Sequence, residues 1–227
     1  MLDVAPELAA ELMPLTARVR AQFDLDANPH AVAEHLGADP LLAPSIAAHP
    51  GLRVPGAFDA FELALRALLG QQVSVAAATT LSGRLVAHFG EAANTPWPAA
   101  SRHFPCAQTL AAIDAEDIAA IGIPRVRADA VRMLAHFAAD GGLDRLACLG
   151  LDAAVSRLCA LPGIGAWTAH YIAMRALRFP DAFPAGDLGL QKACAEGGVR
   201  PGRAALAIRA EQWSPWRAYA AIALWSR

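Results

Sequence analysis

Apolar residues recur three and four positions apart along most of the chain, the spacing that lines one face of a helix. Phe61, Leu65, Leu68 and Leu69 follow it until Gly70, and Val73 to Phe89 resumes it until Gly90, where a glycine stop is expected. The same rule predicts helices over Leu110 to Ile121, Arg125 to Phe137 and Asp152 to Cys159. Pro124 and Asp152 stand where a helix start favours a ring-fixed φ or a capping oxygen. Trp213-Ser214-Pro215-Trp216 reads as a cap and first-turn proline for a final helix through Trp225, and Pro96-Trp97-Pro98 as a loop between bundles. Runs of Val, Ile, Thr or Tyr are few, so the fold class is all-α. With no internal repeat and no long linker, residues 1–227 read as one domain, and that length suits one large domain or two small lobes sharing a cleft.

Composition narrows the class. Of the 227 residues, 56% are hydrophobic and 18% charged, which excludes a disordered or fibrous chain. No stretch approaches the roughly 18 uninterrupted apolar residues of a membrane span. The first residues carry Asp3, Glu7 and Glu11 before Arg18, the reverse of a secretory leader, so a soluble cytoplasmic protein is expected. Cys106, Cys148, Cys159 and Cys194 lie 42, 11 and 35 residues apart, too far for an iron–sulfur run, and are read as four small buried thiols. Nothing calls for a cofactor or a side-chain metal site.

Charge changes sign along the chain. Residues 1–60 hold eight acids and three bases, 61–117 five and three, and 118–227 eight and thirteen, so only the last stretch is basic. Eighteen of the nineteen cations are Arg. Its planar fork suits phosphate, although coding-DNA composition explains an Arg excess equally well. The overall balance of -2 argues for local rather than general contact with nucleic acid.

The segment 158–178 reads as a helix end, a bend Leu161-Pro162-Gly163-Ile164-Gly165, and a second helix opening at Ala166. Two glycines let the backbone turn tightly and leave the first N–H groups of the next helix bare, where a phosphate can sit. Read alone, the bend is either such a cradle or an ordinary turn between helices. It is not a dinucleotide fingerprint, because Thr168 occupies the third glycine position and Pro162 stands where a strand should end.

The run ALPGIGAWTAHYIAMRAL, followed by Phe183-Pro184-Ala185-Gly186-Asp187, resembles the helix-hairpin-helix, Gly/Pro-rich-loop, Asp superfamily of DNA glycosylases, and within it the 3-methyladenine DNA glycosylase II (AlkA) family. The similarity extends from about Phe23 to Trp225 through Pro40-Leu41-Leu42, Gly51 to Gly56, Leu69-Gly70-Gln71-Gln72-Val73-Ser74-Val75 and Trp213 to Tyr219. It implies a two-lobed helical fold with a cleft between the lobes and the hairpin on one wall. Some members carry an additional N-terminal β-rich domain, and this chain is expected to start too late to hold it.

The resemblance assigns roles. Asp187 would stabilise the oxocarbenium-like sugar formed when a damaged base leaves, or activate water. Read alone, an Asp before a helix over Leu188 to Ala195 is also a helix cap, and the two roles are compatible. Members that also cut the strand carry a lysine where this chain has Trp167, which implies a monofunctional hydrolase. Trp167, Tyr171 and Trp225 would form an aromatic base pocket for cationic alkylated purines. Leu188 stands where some relatives have an aromatic, which would widen that pocket. Gln72 would be the wedge that fills the gap left by the flipped nucleotide, with Gln71 beside it. Gly163, Ile164, Gly165 and Thr168 would grip the strand, with the carbonyls of Leu161 and Ile164 available to a monovalent cation. Trp213 and Trp216 are read as core, and His170 as packing. The expected partner is double-stranded DNA bearing alkylated bases, bound by a monomeric bacterial protein at the nucleoid. The rival readings are a noncatalytic helix-hairpin-helix DNA-binding module and a small-molecule hydrolase with a buried acid.

Overall fold

The computed structural model describes residues 4–227. Among them there is no β-strand, only isolated bridges between Ala92 and Arg102 and between Glu196 and Val199. The chain folds into two compact units, one built from both chain ends (up to Phe58, and again from Arg178) and one from Asp59–Leu177. No helix among the described residues is long and apolar enough to cross a membrane.

The first unit begins with a 3-10 turn at Pro6–Glu11, then α1 (Leu12–Gln22), α2 (Pro29–Leu36) and α3 (Ala43–Ala48). The second unit holds α4 (Ala60–Leu69), α5 (Val75–Phe89), α6 (Ala107–Ala111), α7 (Ala115–Ala120), α8 (Arg125–Ala139), α9 (Gly142–Ala147), α10 (Leu151–Cys159) and α11 (Ala166–Arg175). The chain then returns to the first unit as α12 (Leu188–Ala193), α13 (Arg203–Ala210), a 3-10 turn at Glu211–Trp213 and α14 (Arg217–Trp225).

Local chemistry explains most of these boundaries. Asp59 caps α4 by accepting from the Glu62 amide at 2.7 Å, and α4 buries Phe61, Leu65, Leu68 and Leu69, the stripe expected from the spacing. Ser74 caps α5, accepting from the Ala77 amide at 3.2 Å, so that helix begins at Val75 rather than Val73. At Gly90 an added Cβ would lie 2.3 Å from the His103 carbonyl oxygen, a close approach only glycine allows.

Four expectations are corrected. The helix read over Leu110 to Ile121 is two, because the backbone extends at Asp114 and so turns Leu110 and Ala111 on one side, Ala115 and Ile118 on the other, into the core around α8. Asp152 is not a cap: Gly150 holds that position and Asp152 lies in the first turn, where its charge meets the helix dipole. Pro124, by contrast, stands at the start of α8 as expected, in the cap position at φ -54°. The last helix is capped at Trp216, since Ser214 turns its hydroxyl to Asp181 instead. Among the cysteines only Cys194 is buried; Cys106, Cys148 and Cys159 are exposed free thiols, because each falls on the outer side of its helix or loop.

In the first unit Trp213 is 1% exposed and forms the centre of the core, edge-on to Phe183 with ring centroids 5.7 Å apart. Its indole N–H donates to Asp39 Oδ2 at 2.7 Å, so the buried ring keeps its polar atom satisfied. Trp216, read as core, is half-buried and packs edge-on against Tyr219. The Tyr219 hydroxyl donates to Asp24 Oδ2 at 2.6 Å. Burial, reinforced by that hydrogen bond, pushes the phenol well above its ordinary pKa and keeps it a donor. These contacts tie the early segment to α14 and so hold Trp225 in place.

Candidate active site and DNA grip

Within the first unit, Asp187 ends a loop and caps α12: its Oδ1 accepts from the Leu190 amide at 3.0 Å. The same oxygen accepts from the Trp225 indole N–H, also at 3.0 Å. Two N–H donors on one oxygen leave the carboxylate little freedom to rotate. Gly189 makes room for this: a Cβ there would stand 3.0 Å from Asp187 Oδ1 and 3.4 Å from the Trp225 ring. Leu188 points outward and is 60% exposed, while Trp225 is half-buried. Asp187 is therefore a helix cap, as one of its two expected roles required, and that geometry is compatible with the other.

The loop that delivers Asp187 is pinned at its start. Asp181 accepts from Arg217 through Nε at 2.8 Å and Nη2 at 2.7 Å, a two-pronged pair, and from the Ser214 hydroxyl at 2.8 Å. Burial alone would raise the Asp181 pKa; the Arg217 and Ser214 hydrogen bonds outweigh it and hold the carboxyl below its usual 3.8. A carboxyl depressed by folding adds stability that is complete above the unfolded value and is lost as pH falls through the folded one. Wild-type stability should therefore fall more steeply than that of Asp181→Asn once pH drops below 3.8. Denaturation midpoints compared on either side of that pH check this, and parallel slopes would refute it.

In the second unit, α10 and α11 form the helix-hairpin-helix where the motif predicts it. Gly163 sits at φ +79°, and a Cβ there would collide with Ala130 of α8 at 2.7 Å. Ile164 is buried and its amide donates to the Leu161 carbonyl at 3.1 Å, which closes the bend and engages one lone pair of that oxygen. Gly165 brings no side-chain cap to α11, so the first-turn N–H groups depend on something other than a capping oxygen. Gly163 and Gly165 are exposed, whereas Thr168 is 2% exposed and turned inward.

Trp167 and Tyr171, one turn apart on α11, stack with centroids 5.2 Å apart and planes 13° from parallel. Arg175, a turn further on, extends the ladder: its guanidinium lies 5.6 Å from the Tyr171 centroid and donates to the phenol oxygen at 3.3 Å. The sequence reading missed Arg175, although its i, i+4 position after Tyr171 was legible. It also missed Arg127, whose partner lies 56 residues away and left no local signal.

Gln71 and Gln72 occupy the turn between α4 and α5. Gln72 is exposed at φ +57°, a left-handed conformation costing a non-glycine residue roughly 1–2 kcal/mol. The Gln71 amide donates to the Gly163 carbonyl at 2.9 Å and the Thr168 hydroxyl at 2.8 Å.

The chain as a whole is similar to known proteins. Residues 65–218 match the family model described as HhH-GPD superfamily base excision DNA repair protein, and residues 1–59 match the AlkA N-terminal domain. The chain was expected to start too late to hold that additional domain; residues 1–59 match it nevertheless, and the described ones form helices and turns with no strand where the domain was expected to be β-rich. The chain is 39% identical over 224 residues to DNA-3-methyladenine glycosylase 2 of Escherichia coli, covering 96% of this chain and 74% of that one. It is 44% identical over 216 residues to the Mycobacterium tuberculosis protein named "Probable bifunctional transcriptional activator/DNA repair enzyme AlkA", covering 95% of this chain but only 43% of that longer protein. In fold it matches a 3-methyladenine DNA-glycosylase from Archaeoglobus fulgidus (TM-score 0.78, 21% identity, 98% of this chain and 76% of the other). It also matches Schizosaccharomyces pombe Mag1 in complex with abasic DNA (TM-score 0.69, 21% identity, 86% and 95%). With the hairpin at 158–178, the glycine-containing loop and Asp187 all in order, the chain belongs to the HhH-GPD superfamily of base excision DNA repair proteins.

Proposed function

We propose that this protein is a monofunctional DNA glycosylase that removes alkylated purines such as 3-methyladenine and 7-methylguanine from duplex DNA. The observation that carries the reading is Asp187, a carboxylate whose Oδ1 is held by the Trp225 indole and the Leu190 amide in a chain 39% identical to a bacterial 3-methyladenine glycosylase. The hairpin amides grip a backbone phosphate, which orients the duplex without reading sequence. Gln72 enters the stack as the target nucleotide leaves it, at a cost of a few kcal/mol that damage reduces.

Alkylation at N3 or N7 gives the base a positive charge. The Trp167 ring, with Tyr171 stacked behind it, attracts such a base by about 0.5–2 kcal/mol. The C1′–N bond then breaks with both electrons going to the base, which departs neutral. Asp187 stabilises the cationic sugar, water adds at C1′, and the proton lost from that water passes to the carboxylate or to solvent. The product is a free base and an abasic site. Lys192 is the single lysine of the chain and position 167 is Trp, so no amine stands where a Schiff base would form. The enzyme acts as a monomer on bacterial chromosomal DNA.

The test is release of bases from a methylated duplex, with each product identified by mass. Free methylpurines should appear, strand breaks should need added alkali, and borohydride should trap no protein–DNA adduct. Binding to an abasic duplex without any release would favour the noncatalytic module, and a trapped adduct would overturn the monofunctional assignment.

A further inference from the structure

We infer that Gln71 is a positioning residue that couples the phosphate-gripping hairpin to the wedge turn, rather than a side chain that reads DNA; the inference rests on the glycosylase reading above. Both hydrogens of its amide are spent inside the second unit, on the Gly163 carbonyl at 2.9 Å and the Thr168 hydroxyl at 2.8 Å. A carbonyl can only accept, so the amide nitrogen must face Gly163 and the orientation follows from chemistry. The main chain of the same residue is held too, its carbonyl accepting from Arg127 Nη2 at 2.9 Å.

Arg127 lies one turn before Ala130 on α8, and Ala130 is the residue against which the bend at Gly163 packs, with no room for a Cβ between them. One helix face thus braces the hairpin and the turn together. The next residue along, Gln72, keeps its left-handed φ of +57° only because its surroundings over-determine it. Beyond it Val73 and Val75 are 37% and 85% exposed, so the braced segment presents an apolar as well as a polar tip. With grip and tip in one rigid unit, binding energy gained at the phosphate is available to push the tip into the stack.

Flipping and chemistry are separated by reading 2-aminopurine emission at the lesion position in Asp187→Asn protein, where no base need be released. Binding should raise emission, and adding Gln71→Met, which keeps chain length but removes both donors, should abolish most of the rise. In otherwise wild-type protein, Gln71→Met should slow base release from duplex roughly 10- to 100-fold. It should leave release from a single strand, whose base is already unstacked, near the wild-type rate. Thr168→Val, which keeps shape and removes one acceptor, should give a smaller loss with the same contrast, and serves if the first variant folds poorly. Equal losses on both substrates, an unchanged emission rise, or no rise in either background would overturn the inference. Failure of the wild type to release any base would instead count against the glycosylase reading, and the emission comparison would still decide the coupling.

Discussion

Asp187→Asn protein should fold, bind an abasic duplex as tightly as the wild type, and release alkylated bases at least about 10²–10³ times more slowly in single-turnover assays. The substitution is informative because Asn keeps an oxygen for the Leu190 amide and the Trp225 indole N–H, and Asn caps a helix about as well as Asp. What disappears is the negative charge proposed to stabilise the developing cation. A structural role alone predicts a normal rate from a folded variant, and catalysis predicts a folded variant with little activity. Release within a few-fold of wild type, with unchanged thermal stability, would remove Asp187 from the mechanism.

Trp213→Ala should lower stability by about 3–5 kcal/mol, the usual loss when a buried Trp is truncated in a core. For a chain of this size each kcal/mol corresponds to roughly 2–4 °C, so Tm should fall by roughly 6–20 °C. The ring is 1% exposed, packs against Phe183, and donates to Asp39, so truncation opens a cavity and strips Asp39 of a donor together. Trp213→Phe restores part of the volume without the N–H and should fall between the two. Phe183 lies four residues before Asp187, so base release should decline even at temperatures where the variant is folded. Calorimetry and single-turnover rates on the same samples check both statements; a Tm drop of only a degree or two would show that the core closes over the vacancy.

Most of the helices could be read from period and punctuation because the causes are local. The α4 stripe, the Gly70 and Gly90 stops and the α10–α11 bend each depend on residues within a few positions of one another. The misplaced boundaries share a reason. At Leu110 to Ile121 the apolar period continues through Asp114, and only packing onto α8 reveals that the backbone breaks there. Ser214 looks like a cap until Asp181, 33 residues earlier, claims its hydroxyl. Three cysteines expected inside lie outside the core, and their sequence did not say so because a small side chain gives little periodic signal of which way it points.

The site divides along the same line. The hairpin, the capping geometry of Asp187 and the Trp167–Tyr171 pair follow from spacing along single helices, and the chain's own residue order was enough to specify them. Packing alone chose which distant partner each polar group met: Trp225 for Asp187, Arg217 for Asp181, and Gly163 and Thr168 for an amide more than ninety residues away at Gln71. A hydrogen bond forms within about 3 Å and in one direction, whereas the hydrophobic pattern that folds the helices constrains only which face is buried. The orientation of reactive groups is therefore a property of the packed chain, while their identity and the elements that carry them are properties of its order.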